Sequence, residues 1–299
     1  EELRNEHPSA RHPGLRRRRH RYPALHEVTD GSAVSGERVM TAPSTPTQTA
    51  NRLSQPGNLQ VRRVITTRAG GYSTGRYHGL NLSLDVGDNP VTVTRNRERL
   101  AEKLQLPLDR FVYMEQLQSP HVSVVEATAD SRFPDPIPAT DALVTTAPNL
   151  ALVVLTSDAV PVLLGDDEAG VIAALNGSAL GVRAGLVTAT LDAMRELGAD
   201  PHRMHALLGP SATGRKMAVS EAMAEDMEAH VPHTRARTAT GQPSLDLRRG
   251  IAHQLVAAGL AGVTVDPRCT IEDLAFFSTY REHKTGCQAG VIWRSSTND

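Results

Sequence analysis

Leu150-Ala151-Leu152-Val153-Val154-Leu155-Thr156-Ser157-Asp158-Ala159-Val160-Pro161-Val162-Leu163-Leu164-Gly165-Asp166-Asp167-Glu168-Ala169-Gly170-Val171-Ile172-Ala173-Ala174-Leu175-Asn176-Gly177 holds three apolar runs separated by short polar breaks. Runs of this length, bounded by Gly, Pro and Asp and lacking polar alternation, predict strands buried on both faces. The breaks differ in kind. Asp166, Asp167, Glu168 and Gly170 make an acidic turn, whereas residues 157–159 and 176–178 are small or amide-bearing. Two neighbouring strand ends, at 157–159 and 176–178, are therefore delivered to one place in the core. Many enzymes keep their chemistry at such a place, but here Asp158 is the one carboxylate, and no thiol or imidazole accompanies it.

The chain around this stretch has 299 residues, a formal net charge of -1, two cysteines and one tryptophan. That length supports one large domain or two small ones with a real core. Near-neutral charge points away from nucleic acid or an anionic membrane as the main partner, and no apolar run is long enough to cross a bilayer. Two cysteines, Cys269 and Cys287, do not make a disulfide framework, so both read as reduced thiols in a cytoplasmic protein.

Residues 1–57 differ from the rest. They combine Arg16-Arg17-Arg18-Arg19-His20-Arg21, scattered prolines and Thr41-Ala42-Pro43-Ser44-Thr45-Pro46-Thr47, with few aliphatic side chains to offset the entropy of ordering. The segment reads as a disordered or spurious N-terminal extension. Met40 stands just before the low-complexity stretch, so residues 1–39 are set apart as a part that need not belong to the natural protein. A globular domain then covers 58–295, and 296–299 is a tail.

Within that domain Val61 to Thr66 predicts a strand, followed by a Gly70-Gly71 turn. Asn89-Pro90 opens a helix whose apolar face is Val93, Leu100, Ala101 and Leu104. Short strands are expected over Phe111 to Met114, Val122 to Val125, Ala142 to Thr145, Met204 to Leu208, Val263 to Val265 and Ala289 to Trp293. Helices follow from Leu186, Val187, Leu191, Met194 and Leu197, from Met223 and Met227, and from Leu247, Ile251, Leu255 and Ala258. Strands and helices alternate without regular βαβ units, which predicts an α+β domain with mixed β-sheets.

Eight loop motifs occur in order: Thr66-Thr67-Arg68-Ala69-Gly70-Gly71-Tyr72-Ser73, Leu80-Asn81-Leu82-Ser83, Val86-Gly87-Asp88, Asn96-Arg97, Thr140-Asp141-Ala142-Leu143-Val144-Thr145, Gly209-Pro210, Asp246-Leu247, and Cys269-Thr270 with Phe277-Ser278. In this series the chain, from about residue 59 to 294, resembles the bacterial YfiH-like laccase-domain family, also called the polyphenol oxidoreductase or purine nucleoside phosphorylase family. The resemblance implies a single domain in an α/β/β/α layered arrangement. It also implies phosphorolysis of adenosine, inosine and methylthioadenosine, deamination of adenosine, copper-linked phenol oxidation, and a zinc or copper cofactor.

The family's metal ligands are a histidine in Gln-x-His, a cysteine in Ala-Asp-Cys-x-Pro-Val, and a histidine in His-Ala-Gly. At those positions this chain has Gln118, Ala159 and Asn176. Neutral amide oxygens bind zinc or copper poorly and a methyl group not at all, so no metal is expected here. Other departures cluster nearby: Lys216-Met217-Ala218-Val219 replaces the family's Cys-Tyr-Glu-Val, Thr285-Gly286-Cys287 replaces Thr-Gly-Arg, and Tyr280-Arg281 replaces paired arginines.

Several residues remain as candidates for binding. Arg68 and Asn81, in matching motifs, suit a phosphate or a ribose, with pinning of the Gly70-Gly71 loop as the alternative. Asp158 either holds a strand end or is the remnant of the Asp-Cys pair. Cys287 has His283 and Lys284 close in sequence, as a nucleophile needs; a buried inert thiol is the other reading. His121 lies an odd three residues from Gln118, which in a strand turns it to the other face. The pairs His202 with His205 and His230 with His233 have metal-compatible spacing but read as solvated. Two functional readings follow: a metal-free binding protein descended from purine nucleoside phosphorylases, its ligand a purine nucleoside or phosphate, or an active enzyme using rearranged residues such as His121, Cys287 or Arg68.

Overall fold

Ahead of the central runs come strand β1 (His26–Glu27), strand β2 (Leu59–Thr67), helix α1 (Pro90–Leu104) and strands β3 (Phe111–Val112), β4 (Val122–Val124) and β5 (Ala142–Thr145). These assignments come from a computed structural model that describes residues 26–27, 59–128 and 130–296. The three apolar runs form β6 (Ala151–Thr156), β7 (Val160–Asp166) and β8 (Val171–Gly177), with every residue of the three buried. After them come α2 (Ala179–Arg183), α3 (Leu186–Glu196), β9 (His205–Leu208), α4 (Glu221–His230), β10 (Arg235–Arg237), β11 (Pro243–Leu245), α5 (Leu247–Ala257), β12 (Gly262–Val265), α6 (Thr279–Glu282) and β13 (Gln288–Ser296).

The strands sort into a five-stranded sheet, ordered β1-β2-β13-β6-β3, a six-stranded sheet, ordered β12-β9-β7-β8-β5-β4, and a β10-β11 pair. Both large sheets mix parallel and antiparallel neighbours. Their inner faces meet. Leu152 and Val154 of β6, Ile292 of β13, Leu163 of β7, Ile172 and Ala174 of β8 and Leu143 of β5 share one apolar layer between the sheets. The alternate residues Val160, Val162, Leu164, Val171, Ala173 and Leu175 turn the other way, against Leu186, Leu191 and Met194 of α3 and Ile251 and Leu255 of α5. On the far side of the five-stranded sheet, Val153, Val291 and Trp293 pack with Leu100 and Ala101 of α1. Burying each aliphatic side chain contributes about 1.5–3 kcal/mol. The result is a single α+β domain, layered α/β/β/α, and both faces of each central strand are apolar because both are covered.

Local signals place the helices. Asn89 caps α1 by accepting from Val91 N at 2.9 Å, and Pro90 follows at the first helical position. Ser220 and Asp246 cap α4 and α5 by accepting from the N–H groups of Met223 and Arg249. Gly259, at φ +87°, follows the end of α5.

Some expectations need correction. The strand expected over Phe111 to Met114 covers only Phe111–Val112, and the last strand runs through Gln288–Ser296 instead of five residues. The short helix α6 and the β10-β11 pair are not among the expected elements. The disorder expected for residues 1–57 lies outside the described residues except at His26–Glu27. Those two residues pair antiparallel with Thr67 and Thr66.

Candidate functional site

Along each strand the side chains that face the opposite sheet recur every second residue, and at one end of the sandwich that series turns polar. Val154 is followed by Thr156 on β6, Ala174 by Asn176 on β8, and Gly290 is preceded by Gln288 on β13. Leu143 is preceded by Asp141, and Pro161 by Ala159. Pairing brings these strand ends together at one end of the sandwich: Gln288 stands opposite Thr156, and Asn176 opposite Pro161, two residues beyond Ala159. Gly209, whose N–H donates to Pro161 O at 2.9 Å, leads to Ser211.

The Asp141 carboxylate organises one side of this layer. It accepts from the N–H groups of Leu117 and Gln118 at 3.0 Å, from Ser119 N at 2.7 Å and Oγ at 2.9 Å, and from Asn176 Nδ2 at 3.0 Å. Asp141 and Asn176 are fully buried. The carboxylate thus latches residues 117–119, where Gln118 adopts a left-handed φ of 59°, onto the end of β8. Hydrogen bonds to a charged acceptor are the stronger kind. The Gln118 side-chain amide itself makes no hydrogen bond among the described residues.

The other side is organised by Asp158. Its carboxylate accepts from Thr270 Oγ1 at 2.6 Å, Ser278 Oγ at 2.8 Å and Tyr280 N at 3.1 Å. Burial dominates, and pushes the Asp158 carboxyl above its ordinary pKa despite those donors and the Arg281 charge. Burial, with Asp158 beside it, also raises the Tyr280 phenol. The Arg281 guanidinium donates to the carbonyls of Thr270 at 2.6 Å, Ile271 and Asp273 at 3.2 Å, and Phe276, and to Glu282 Oε1 at 2.7 Å.

Arg68 reaches the same Glu282. Its Nη1 donates to Glu282 Oε1 at 2.7 Å, its Nε to His78 O at 3.3 Å, and its guanidinium carbon lies 3.9 Å from the Phe277 ring centroid. Burial works to raise the Glu282 pKa, but Thr285, Arg281 and Arg68 outweigh it and hold the carboxyl below its usual value. Asn81 is buried and its amide is fully engaged. Oδ1 accepts from Ser83 N and Cys287 N, and Nδ2 donates to Ser83 O and Asp88 Oδ2. Cys287 lies in the apolar layer beneath α1, and neither it nor Cys269, also buried, is in a disulfide.

The structure puts Asp141 beside Asn176 at the end of the β5-β8 pairing and draws Gln118 to them through the Asp141 latch, while Ala159 lies two residues before Pro161, the β7 partner of Asn176. His121 is exposed, its Nδ1 3.3 Å from Ala139 O. His202, His205, His230 and His233 are all exposed. Among the described residues no group of three or more His, Cys, Asp or Glu could hold a metal. The residues present do not fit zinc or copper. Ala159 offers a methyl group, and Asn176 has turned its amide nitrogen to Asp141, leaving one neutral oxygen.

Sequence reasoning missed the parts played by Asp141 and Gln288. The first stood in a quoted motif, Thr140-Asp141-Ala142, but its donors lie 22 to 35 residues away in sequence. Gln288 carried no signal beyond being a buried amide at a strand end, with Nε2 donating to Ser157 O at 3.2 Å.

Known proteins resemble the chain in sequence and in fold. A Corynebacterium glutamicum protein named purine nucleoside phosphorylase is 51% identical over 239 residues, covering 80% of this chain and 96% of its own length. The crystal structure of Neisseria meningitidis protein NMB0706 superposes with a TM-score of 0.69 at 32% identity, over 80% of this chain and 95% of that one. YlmD from Geobacillus stearothermophilus does so with a TM-score of 0.74 at 28% identity, over 84% of this chain and 98% of its own. Residues 62–295, which include both sides of the polar layer, match the description of one family, and the chain belongs to it: the multi-copper polyphenol oxidoreductase laccases.

Proposed function

We propose that this chain is a metal-free binding protein descended from purine nucleoside phosphorylases, with little or no metal-dependent turnover of its own. Its ligand is a purine nucleoside or phosphate, its setting a bacterial cytoplasm, and its working unit the laccase-like domain at 58–295. The observation that supports this most is the fate of Asn176. Where the family places a histidine ligand, this side chain is committed to Asp141 as a hydrogen-bond donor. Ala159 supplies no donor, and Gln118 supplies an amide. Zinc binding is worth on the order of 10 kcal/mol and rests on N, S or carboxylate ligands, so losing all three removes most of it. Gln118, Ala159 and Asn176 are accordingly the family's ligand positions with their chemistry lost, and Arg68, Asn81, Asp158 and Cys287 are the candidates for contacting substrate.

Incubating the purified protein with zinc, inosine and phosphate and following hypoxanthine release tests this. Release at background rate is expected; turnover comparable to a relative with all three ligands would overturn the reading. Restoring Gln118→His, Ala159→Cys and Asn176→His together is expected to recover zinc binding, because Asp141 stands where a ligating histidine's second N–H needs an acceptor. A single reversion is expected to leave the protein without zinc.

A further inference from the structure

The polar layer between the sheets holds hydrogen-bonding groups that the fold leaves unmet. Thr156 Oγ1, Asn176 Oδ1, Ser211 Oγ and Gln288 Oε1 are buried side-chain atoms with no partner, four of the ten such atoms among the described residues. All four residues are fully buried. Buried polar groups without partners are costly and uncommon, so several gathered at one end of one layer mark a place where something supplies the missing half.

The orientation of the two amides defines what is missing. Asn176 Nδ2 faces the Asp141 carboxylate and Gln288 Nε2 faces the Ser157 carbonyl, and both partners accept. Each amide therefore has its NH2 group committed and presents a carbonyl oxygen. Beside these acceptors stand two hydroxyls, able to accept or donate. Cationic groups are already engaged: Arg68 is held by Glu282 and stacked on Phe277, and Arg281 is divided among four carbonyls and Glu282. The carboxylates of Asp141 and Asp158 flank the layer. An oxyanion entering here would meet oxygen lone pairs and no uncommitted cation among those named.

We infer that the Thr156, Asn176, Ser211 and Gln288 layer recognises an uncharged ligand through that ligand's hydrogen-bond donors, and that it does so without phosphate. This rests on the reading of the site as a ligand-binding one and selects between the two ligand chemistries named there. Gln118, half-buried and with its side-chain amide unpaired among the described residues, is latched beside the layer and provides a further amide for such a ligand.

Calorimetric titration of the full chain with inosine, ribose, hypoxanthine and inorganic phosphate, each alone, tests the inference. Inosine is expected to bind in the absence of phosphate, together with whichever fragment, ribose or hypoxanthine, carries the donors; phosphate alone is expected to give no binding. Thr156→Val and Ser211→Ala each remove one unmet hydroxyl while nearly preserving shape. Each is expected to weaken inosine by about fivefold and to raise the melting temperature of the unliganded protein. A residue serving only the fold would not move these two readouts in opposite senses. Binding of phosphate alone, a phosphate requirement for inosine, unchanged inosine affinity in both variants, uptake of sodium or potassium ions into the layer, or no binding by any of the three neutral probes would overturn it. Zinc-dependent turnover would instead remove the metal-free reading, leaving the affinities of the two variants to judge this inference separately.

Discussion

A buried carboxylate stands at each end of β7, and the two are built differently. Asp166, the last residue of the strand, accepts from the N–H groups of Glu168 and Ala169 at 3.0 Å and of Asp200 at 2.9 Å, and lies 3.0 Å from the Arg203 guanidinium. Burial would raise its pKa, but those N–H donors and Arg203 outweigh burial and hold the carboxyl below its ordinary value. Asp158, just before the strand begins, also has three donors, yet burial wins and its pKa is raised. The Arg281 charge near it is shared among carbonyls and Glu282. One end is an anchor stable as an ion. At the other the fold disfavours the charged form of the carboxyl, as expected where a fold keeps a ligand site at some cost to stability.

Breaking the anchor is expected to have the largest effect. Asp166→Ala leaves three partly buried N–H groups and the Arg203 guanidinium without their acceptor and is expected to cost about 3 kcal/mol in urea denaturation. Asp141→Ala is expected to cost about 2 kcal/mol, with hydrogen exchange accelerated at Leu117, Gln118 and Ser119 as the latch opens. A comparable loss without faster exchange there would mean that the carboxylate does not hold that loop.

Titration separates the two ends of β7 by sign. Because Asp166 has a folded pKa below its unfolded value, its contribution is complete above the ordinary carboxylate range and is lost as pH falls through the lowered value. Asp158, with a raised folded pKa, contributes fully below the ordinary range, and that contribution is lost as pH rises through the raised value. The stability difference between wild type and Asp166→Asn is therefore expected to shrink on acidification, and that between wild type and Asp158→Asn to shrink on going alkaline. Denaturation between about pH 3 and pH 8 checks both; parallel curves would remove the contrast. The smallest expected effect is a gain: Thr156→Val is expected to stabilise the unliganded protein by about 1 kcal/mol.

The middle of β7 was more legible in sequence than its ends. Uninterrupted apolar runs such as Val171 to Leu175 have one good solution, a strand covered on both faces, and the breaks at 157–159 and 176–178 then had to share an edge. Eight ordered motifs tied the chain to its family because each preserves a backbone need, such as the turn at Gly70-Gly71. The Asp141 latch was hidden because Leu117, Ser119 and Asn176 converge on one carboxylate only after β5 and β8 have paired. Helix α6 is too short, at four residues, for apolar periodicity to register. The commitment of Arg68 to Glu282, 214 residues away, had no local trace.

Metal content is the most direct measure of the central claim. Protein purified, incubated with excess zinc or copper and then desalted is predicted to retain far less than one equivalent. One equivalent retained, with anomalous scattering from a metal among Gln118, Ala159 and Asn176, would contradict the account.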